Sequence, residues 1–313
     1  MIWTKKDLIA IKDLSVEEIQ IILDTARAYK DLILRPIKKV PALRGRTVAL
    51  FFLEPSTRTR ISFELAAKRL SADVINMNPS TSSQTKGESL LDTARNLEAL
   101  KINTIVMRHK HAGAAEILAK NLKASIINAG DGFHEHPTQS LLDLFTILEN
   151  KKTLKGLNVT IVGDILHSRV ARSNIWGLTK MGVHLTLCSA PSMLPKDIEK
   201  LGVKICYDLK KAIKNADVIQ LLRIQFERDS GILFPSVKEY GNLYGLSAEL
   251  LKQLNPQALI MHPGPINRGI EIASAVADGP QSLILDQVTN GLAVRMAILF
   301  LLSGIDEGEG MRK

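Results

Sequence analysis

The chain has 313 residues, 45% of them apolar and 23% charged, a length sufficient for two domains of ordinary size and a composition typical of soluble globular proteins. No window reads as approaching a transmembrane span, and the N-terminal Met1-Ile2-Trp3-Thr4-Lys5-Lys6 carries no apolar signal core, so neither a membrane span nor a secretory leader is expected and a cytoplasmic location is. A net charge of +9 invites an acidic partner without naming one.

In chain order, the first half alternates short β-branched runs with helical patterns. Val48–Leu53, Val74–Met77, Thr104–Met107 and Ser125–Asn128 read as strands. Helical stretches fall near 56–70, 89–100 and 113–122, with Leu90, Ala94 and Leu97 marking one apolar face, and a longer helix is expected over 136–150. The run Lys151-Lys152-Thr153-Leu154-Lys155-Gly156 reads as a domain junction. The rhythm restarts with strands at Val159–Val162, Leu185–Cys188, Val203–Tyr207, Val218–Leu221 and Ala258–Met261. A final helix, with Val288, Leu292, Met296 and Leu299 as its apolar stripe, has no strand after it and is expected to pack back on the first half. The implied fold is α/β with two domains, each a parallel sheet flanked by helices in a Rossmann-like three-layer sandwich. The expected division is 1–150 plus a C-terminal helix 286–313 as one domain and 151–285 as the other. Cys188 and Cys206 lie in apolar strand-like runs and read as buried thiols, not as a disulfide or metal pair.

Polar clusters follow the strands, where such folds place their chemistry. Ser56-Thr57-Arg58-Thr59-Arg60 sits between a strand and a helix start. Unpaired backbone N–H groups, the positive end of the helix dipole, Ser56 as N-cap, two threonine hydroxyls and a guanidinium together suit a doubly charged phosphate. The same five residues also fit an ordinary capped, solvated helix start. No Gly-Lys-Ser/Thr is present, so this is not a nucleotide P-loop. Arg108 ends the third strand, and 131–139 follows the fourth with His134 and His136. No acidic or thiol partners complete a ligand set around those histidines, and no metal is expected. Val162-Gly163-Asp164 follows a strand as a dinucleotide site would, but Gly-x-Gly-x-x-Gly is missing and no nicotinamide or other cofactor is expected. Further clusters are Leu221 to Arg228 and His262 to Gly269. Lysines such as Lys151, Lys152, Lys210, Lys211 and Lys214 spread the positive charge over helical faces, and the chain is only 4% aromatic, which offers a nucleic acid few stacking platforms.

Taken together, Phe51 to Arg60, Ser82-Ser83-Gln84-Thr85-Lys86-Gly87-Glu88, Val106 to His109, His136-Pro137-Thr138-Gln139, Val162-Gly163-Asp164 with Ser168-Arg169, Arg223 to Arg228 and His262-Pro263-Gly264-Pro265 resemble the transcarbamylases over nearly the whole chain. Within that superfamily the resemblance is closer to the catalytic chains of aspartate carbamoyltransferases. An ornithine enzyme is expected to carry Cys in place of Thr138 and a His-Cys-Leu-Pro-like box near 262, and this chain has neither.

The resemblance implies transfer of the carbamoyl group of carbamoyl phosphate to the amine of L-aspartate, an early step of pyrimidine biosynthesis. The phosphate is expected on Ser56, Thr57, Arg58 and Thr59 with Arg108, and the carbonyl oxygen near Thr59, Arg108 and His136. The carbamoyl NH₂ is expected against the Gln139 side-chain oxygen and the carbonyls of Gly264 and Pro265. Arg169 and Arg223, with Gln225, are the candidates for the two carboxylates of aspartate. The resemblance adds Ser82 and Lys86 on a loop serving a neighbouring subunit, catalytic trimers with shared sites, and in some cases separate regulatory or dihydroorotase chains. Glu54 and Glu227 read as partners that orient arginines. The substrate amine is its own nucleophile and the departing phosphate is a proton acceptor, so positioning and electrostatics carry the reaction. A transcarbamylase for another amine and a non-enzymatic basic scaffold or nucleic-acid binder are the competing readings. No membrane partner is expected.

Overall fold

A computed structural model describes residues 3–77, 87–225 and 236–303. The chain divides into two compact units, Met1–Phe145 with Thr289–Lys313, and Thr146–Val288. Elements run in the order α1 (Val16–Ile33), β1 (Thr47–Phe52), α2 (Thr57–Arg69), β2 (Asp73–Met77), α3 (Leu90–Ala99), β3 (Thr104–His109), α4 (Ala114–Asn121), β4 (Ser125–Asp131) and α5 (Pro137–Lys151). They continue with β5 (Asn158–Val162), α6 (Arg169–Lys180), β6 (His184–Cys188), β7 (Lys204–Cys206), α7 (Leu209–Ile213), β8 (Val218–Leu221), α8 (Val237–Tyr244), α9 (Ala248–Leu254), β9 (Leu259–Met261), α10 (Ser274–Ala277) and α11 (Ile284–Ser303).

Each unit holds one wholly parallel sheet, ordered β2-β1-β3-β4 in the first and β7-β6-β5-β8-β9 in the second. The inner strand β1 is an unbroken apolar run whose residues after Thr47 are all buried. The edge strand β2 has no fully buried position, only exposed and half-buried ones, as suits a sheet edge. The opposite edge, β4, is buried throughout because the N-terminal segment covers it. Leu8 N donates to Ile126 O at 2.9 Å and Asn128 N donates to Leu8 O at 2.9 Å.

Three expectations are corrected. The apolar stripe of α11 starts a turn later than predicted: Val288 is 56% exposed, while Leu292, Met296 and Leu299 are buried. Every position from Asn290 to Leu299 is buried, so the middle of α11 is enclosed all round rather than striped. That same property corrects the view that no window approaches a membrane span, since α11 is long and apolar enough by length and composition. Its middle, Asn290 to Leu299, is spent inside the core of the first unit. Finally, Cys188 is buried but Cys206, its register partner, is only half-buried because β7 is an edge strand; both thiols are free.

The loop joining β4 to α5 is held from within by Asp131, whose side chain is 1% exposed. Its carboxylate accepts the Gly113 N–H at 2.7 Å, the Asn128 side-chain amide at 2.7 Å and the His134 ring at 3.1 Å. Burial pushes the Asp131 carboxyl up, but those hydrogen bonds outweigh it and hold it below its ordinary value. His134 is raised, first by the hydrogen bond to Asp131, with burial and Lys12 opposing and Glu135 assisting. A raised histidine stabilises the fold fully below its unfolded value of about 6.5, and the contribution fades as pH climbs through the folded value. His134→Ala should therefore lower Tm more at pH 6 than at pH 8.5 in thermal unfolding; an equal loss at both would contradict the pairing.

Candidate active site

In the first unit the strand order reverses between β1 and β3, so the segments that follow these neighbouring strands diverge and leave a crevice at their C-terminal ends. The Ser56–Arg60 box leaves β1 and enters α2 there. Ser56 occupies the N-cap position with extended backbone but makes no side-chain cap bond, which corrects its expected capping role. The first main-chain turn bond is Arg60 N to Ser56 O at 3.2 Å, so the N–H groups of 57–59 precede it. No acidic residue sits in the first turn, in contrast to α1, α3 and α4. Arg58 and Arg60 stand there instead, on the positive end of the dipole, an arrangement that an anion relieves. Thr59 is buried, while Thr57 and Arg58 are exposed.

Arg108 leaves the end of β3 beside the end of β1, with Phe52 as its register partner. Its Nη2 donates to Glu54 Oε1 at 2.9 Å and its Nη1 donates to Ala129 O at 3.1 Å. Glu54 thus orients an arginine as expected, and the side chain of Arg108 is 12% exposed. Next along the sheet edge, His136 precedes Pro137, the first residue of α5, and is buried. Its Nδ1 lies 3.4 Å from Thr138 Oγ1. Gln139, also buried, directs its Nε2 to Asp143 Oδ1 at 2.9 Å. Burial lowers the neighbouring His109, whose Nδ1 accepts the His111 N–H at 3.0 Å.

In the second unit the order reverses between β5 and β8. Gly163 has φ +128°, and a Cβ there would lie 2.5 Å from Leu222 O, so only glycine lets the two strand ends come this close. Asp164 then binds both following segments. Its Oδ1 accepts the His167 N–H at 3.1 Å and its Oδ2 the Gln225 N–H at 3.3 Å, with the His167 ring 3.1 Å away. Gln225 Nε2 closes the network on His167 O at 3.0 Å. Arg169 opens α6 behind its cap Ser168 and is buried; Arg223 is half-buried. Gly264, with φ +65°, precedes a cis bond to Pro265. His262 Nδ1 accepts the Gly264 N–H at 2.8 Å, which leaves Nε2 to carry the proton toward Glu271 Oε1 at 3.2 Å.

The structure therefore gathers Ser56, Thr57, Arg58, Thr59, Arg108, His136 and Gln139 at one sheet edge of the first unit. Arg169, Arg223 and Gln225 gather at the switch point of the second, and Gly264 and Pro265 follow β9 there. Ser82, Lys86, Glu227 and Arg228 lie outside the described residues. The sequence reading missed the buried carboxylates Asp143 and Glu271, and named Asp164 only as a motif member without this holding role. Asp143 had a visible signal, its i+4 spacing from Gln139.

Comparison with known proteins agrees with this fold. Residues 6–149 match the family model "Aspartate/ornithine carbamoyltransferase, carbamoyl-P binding domain", and residues 155–302 match "Aspartate/ornithine carbamoyltransferase, Asp/Orn binding domain". The aspartate carbamoyltransferase catalytic subunit of Syntrophus aciditrophicus is 59% identical over 304 residues, covering 97% of this chain and 99% of that one. Aspartate transcarbamoylase from Trypanosoma cruzi, solved with carbamoyl phosphate, superposes with a TM-score of 0.87 at 28% identity, over 95% of this chain and 96% of that one. Ornithine carbamoyltransferase from Pyrococcus furiosus gives a TM-score of 0.84 at 30% identity, over 96% and 98%. The chain belongs to the aspartate/ornithine carbamoyltransferase family.

Proposed function

We propose that the chain transfers the carbamoyl group of carbamoyl phosphate to the α-amine of L-aspartate, giving N-carbamoyl-L-aspartate and phosphate, an early step of pyrimidine biosynthesis. One observation carries the choice of acceptor: near-full-length identity of 59% to an aspartate carbamoyltransferase catalytic subunit. Fold similarity alone does not separate the acceptors, because an ornithine enzyme superposes about as well. The arginines agree with the identity, since Arg169 and Arg223 suit an acceptor with two carboxylates and oppose a cationic one.

In this reading the phosphate rests on the start of α2 with Arg58 and Arg108. The amine nitrogen attacks the carbonyl carbon, and charge grows on the carbonyl oxygen. Thr59, Arg108 and His136 are donors for that oxygen, and Arg108 needs little reorganisation because Glu54 and Ala129 O already hold it. The C–O bond to phosphate then breaks, and the departing phosphate takes the amine proton. Gln225, fixed through Asp164 and His167, joins Arg169 and Arg223 in holding aspartate. We assign Ser82 and Lys86 to the site of a neighbouring subunit in a cytoplasmic homotrimer, to which regulatory or dihydroorotase chains are candidate additions.

A radiolabelled carbamoyl-transfer assay should show turnover with aspartate and little with ornithine; the reverse preference would overturn the assignment. Arg58→Ala should lower kcat about 100-fold or more and weaken carbamoyl phosphate binding. Unchanged kinetics would remove the phosphate site from α2. Arg223→Ala should raise KM for aspartate about tenfold or more with a smaller change for carbamoyl phosphate, and an equal loss with every amine acceptor would contradict its role. Mixed reassembly of Lys86→Ala and Arg58→Ala subunits should regain activity that neither variant has alone, and no recovery would argue against a shared site.

A further inference from the structure

The Gln139–Asp143 pair has a chemical asymmetry. Gln139 and Asp143 lie one turn apart on α5, and Asp143 is fully buried. An ionised carboxylate can only accept hydrogen bonds, so the amide at 2.9 Å must turn its NH₂ inward to Asp143. Its Oε1 is then the atom left to face a ligand. A buried carboxylate stays ionised only where a countercharge or strong donors hold it. The final helix supplies the countercharge: Arg295 on α11 is 5% exposed and interacts electrostatically with Asp143. Arg295 Nη1 also donates to Ser62 Oγ at 2.8 Å, and its guanidinium lies 5.3 Å from the centre of the Phe63 ring.

Placing that cation is costly. Burial pushes Arg295 down to about 10, and its Nε makes no hydrogen bond among the described residues. Gly291 leaves room for it, because a Cβ there would come within 2.7 Å of Nη1. Buried charges of this kind are weak contributors to stability and are retained where they fix a particular arrangement. We infer that Asp143, neutralised by Arg295, is a positioning residue that locks the Gln139 amide with its oxygen toward the ligand, so that the pocket selects a carbamoyl donor over an acyl donor of the same shape.

The inference rests on the assignment of Gln139 to the carbamoyl NH₂. Carbamoyl and acetyl phosphate differ by NH₂ against CH₃, and only the former has protons for Oε1. A site built to bind such a group rejects the analogue that lacks it. With Asn at 143, the amide at that position can donate as well as accept, and the orientation of Gln139 is no longer imposed.

The test measures, in the full-length enzyme, kcat/KM for carbamoyl phosphate and KI for acetyl phosphate as its competitor. Asp143→Asn should lower the first about tenfold or more while the second stays within about threefold. Loss of both in equal proportion would make Asp143 merely structural and overturn the inference. If Asp143→Asn fails to fold because Arg295 loses its counterion, the double variant Asp143→Asn with Arg295→Met removes both buried charges and is read the same way. The parent enzyme separates the two levels: failure to use carbamoyl phosphate at all would end the functional assignment. Normal use with unselective loss in the variants would end only this inference.

Discussion

Parallel strands deliver all their C-terminal ends to one edge of a sheet, and the two units of this chain depend on that constraint. In each, the strand order turns back once, and the residues chosen for anions follow the two strands at that point. A cluster of arginines in such a place repels itself and must be held before an anion arrives. Arg108 is held by Glu54 and by a carbonyl of the next strand. The positive turn of α2 lacks the acidic residues that usually relieve it.

Behind the cations stands a second layer of buried carboxylates that bind backbone rather than substrate. Asp131 accepts the Gly113 N–H, Asp164 the N–H groups of His167 and Gln225, and Glu271 that of Asn267. Each also fixes a histidine ring: His134, His167 or His262. Loops that would otherwise fluctuate are thereby tied to the sheet by groups whose desolvation is offset by several hydrogen bonds. Rigidity at the strand ends is consistent with a reaction whose rate comes from placement.

Local pattern made much of this readable. Apolar runs of four to six residues marked the strands to within three residues, most plainly the inner ones, which are buried on both faces. Ser56–Arg60, His136 and Gln139 declared themselves by residue type next to a helix start. Asp164 and His262 were visible as motif members, yet their partners Gln225 and Glu271 lie 61 and 9 residues away and no spacing rule links them. Arg295 was hidden more deeply. It interrupts an apolar helix and meets Ser62, 233 residues earlier, a contact that only tertiary structure can create. Val288 misled in the other direction, since a regular stripe does not say where the core stops.

The position of α11 in the chain has a bearing on synthesis. Thr289 onward belongs to the unit that begins at the N-terminus, while the whole of Thr146–Val288 emerges in between. A ribosome therefore releases the second unit complete while the first still lacks the helix that fills its interior from Asn290 to Leu299. The apolar surface awaiting α11 stays open for the time needed to translate that intervening stretch, and the countercharge of Asp143 arrives with the last helix. The unit that begins at the N-terminus is begun first and finished last, so a nascent chain halted before α11 would hold a finished second unit and an unfinished first one.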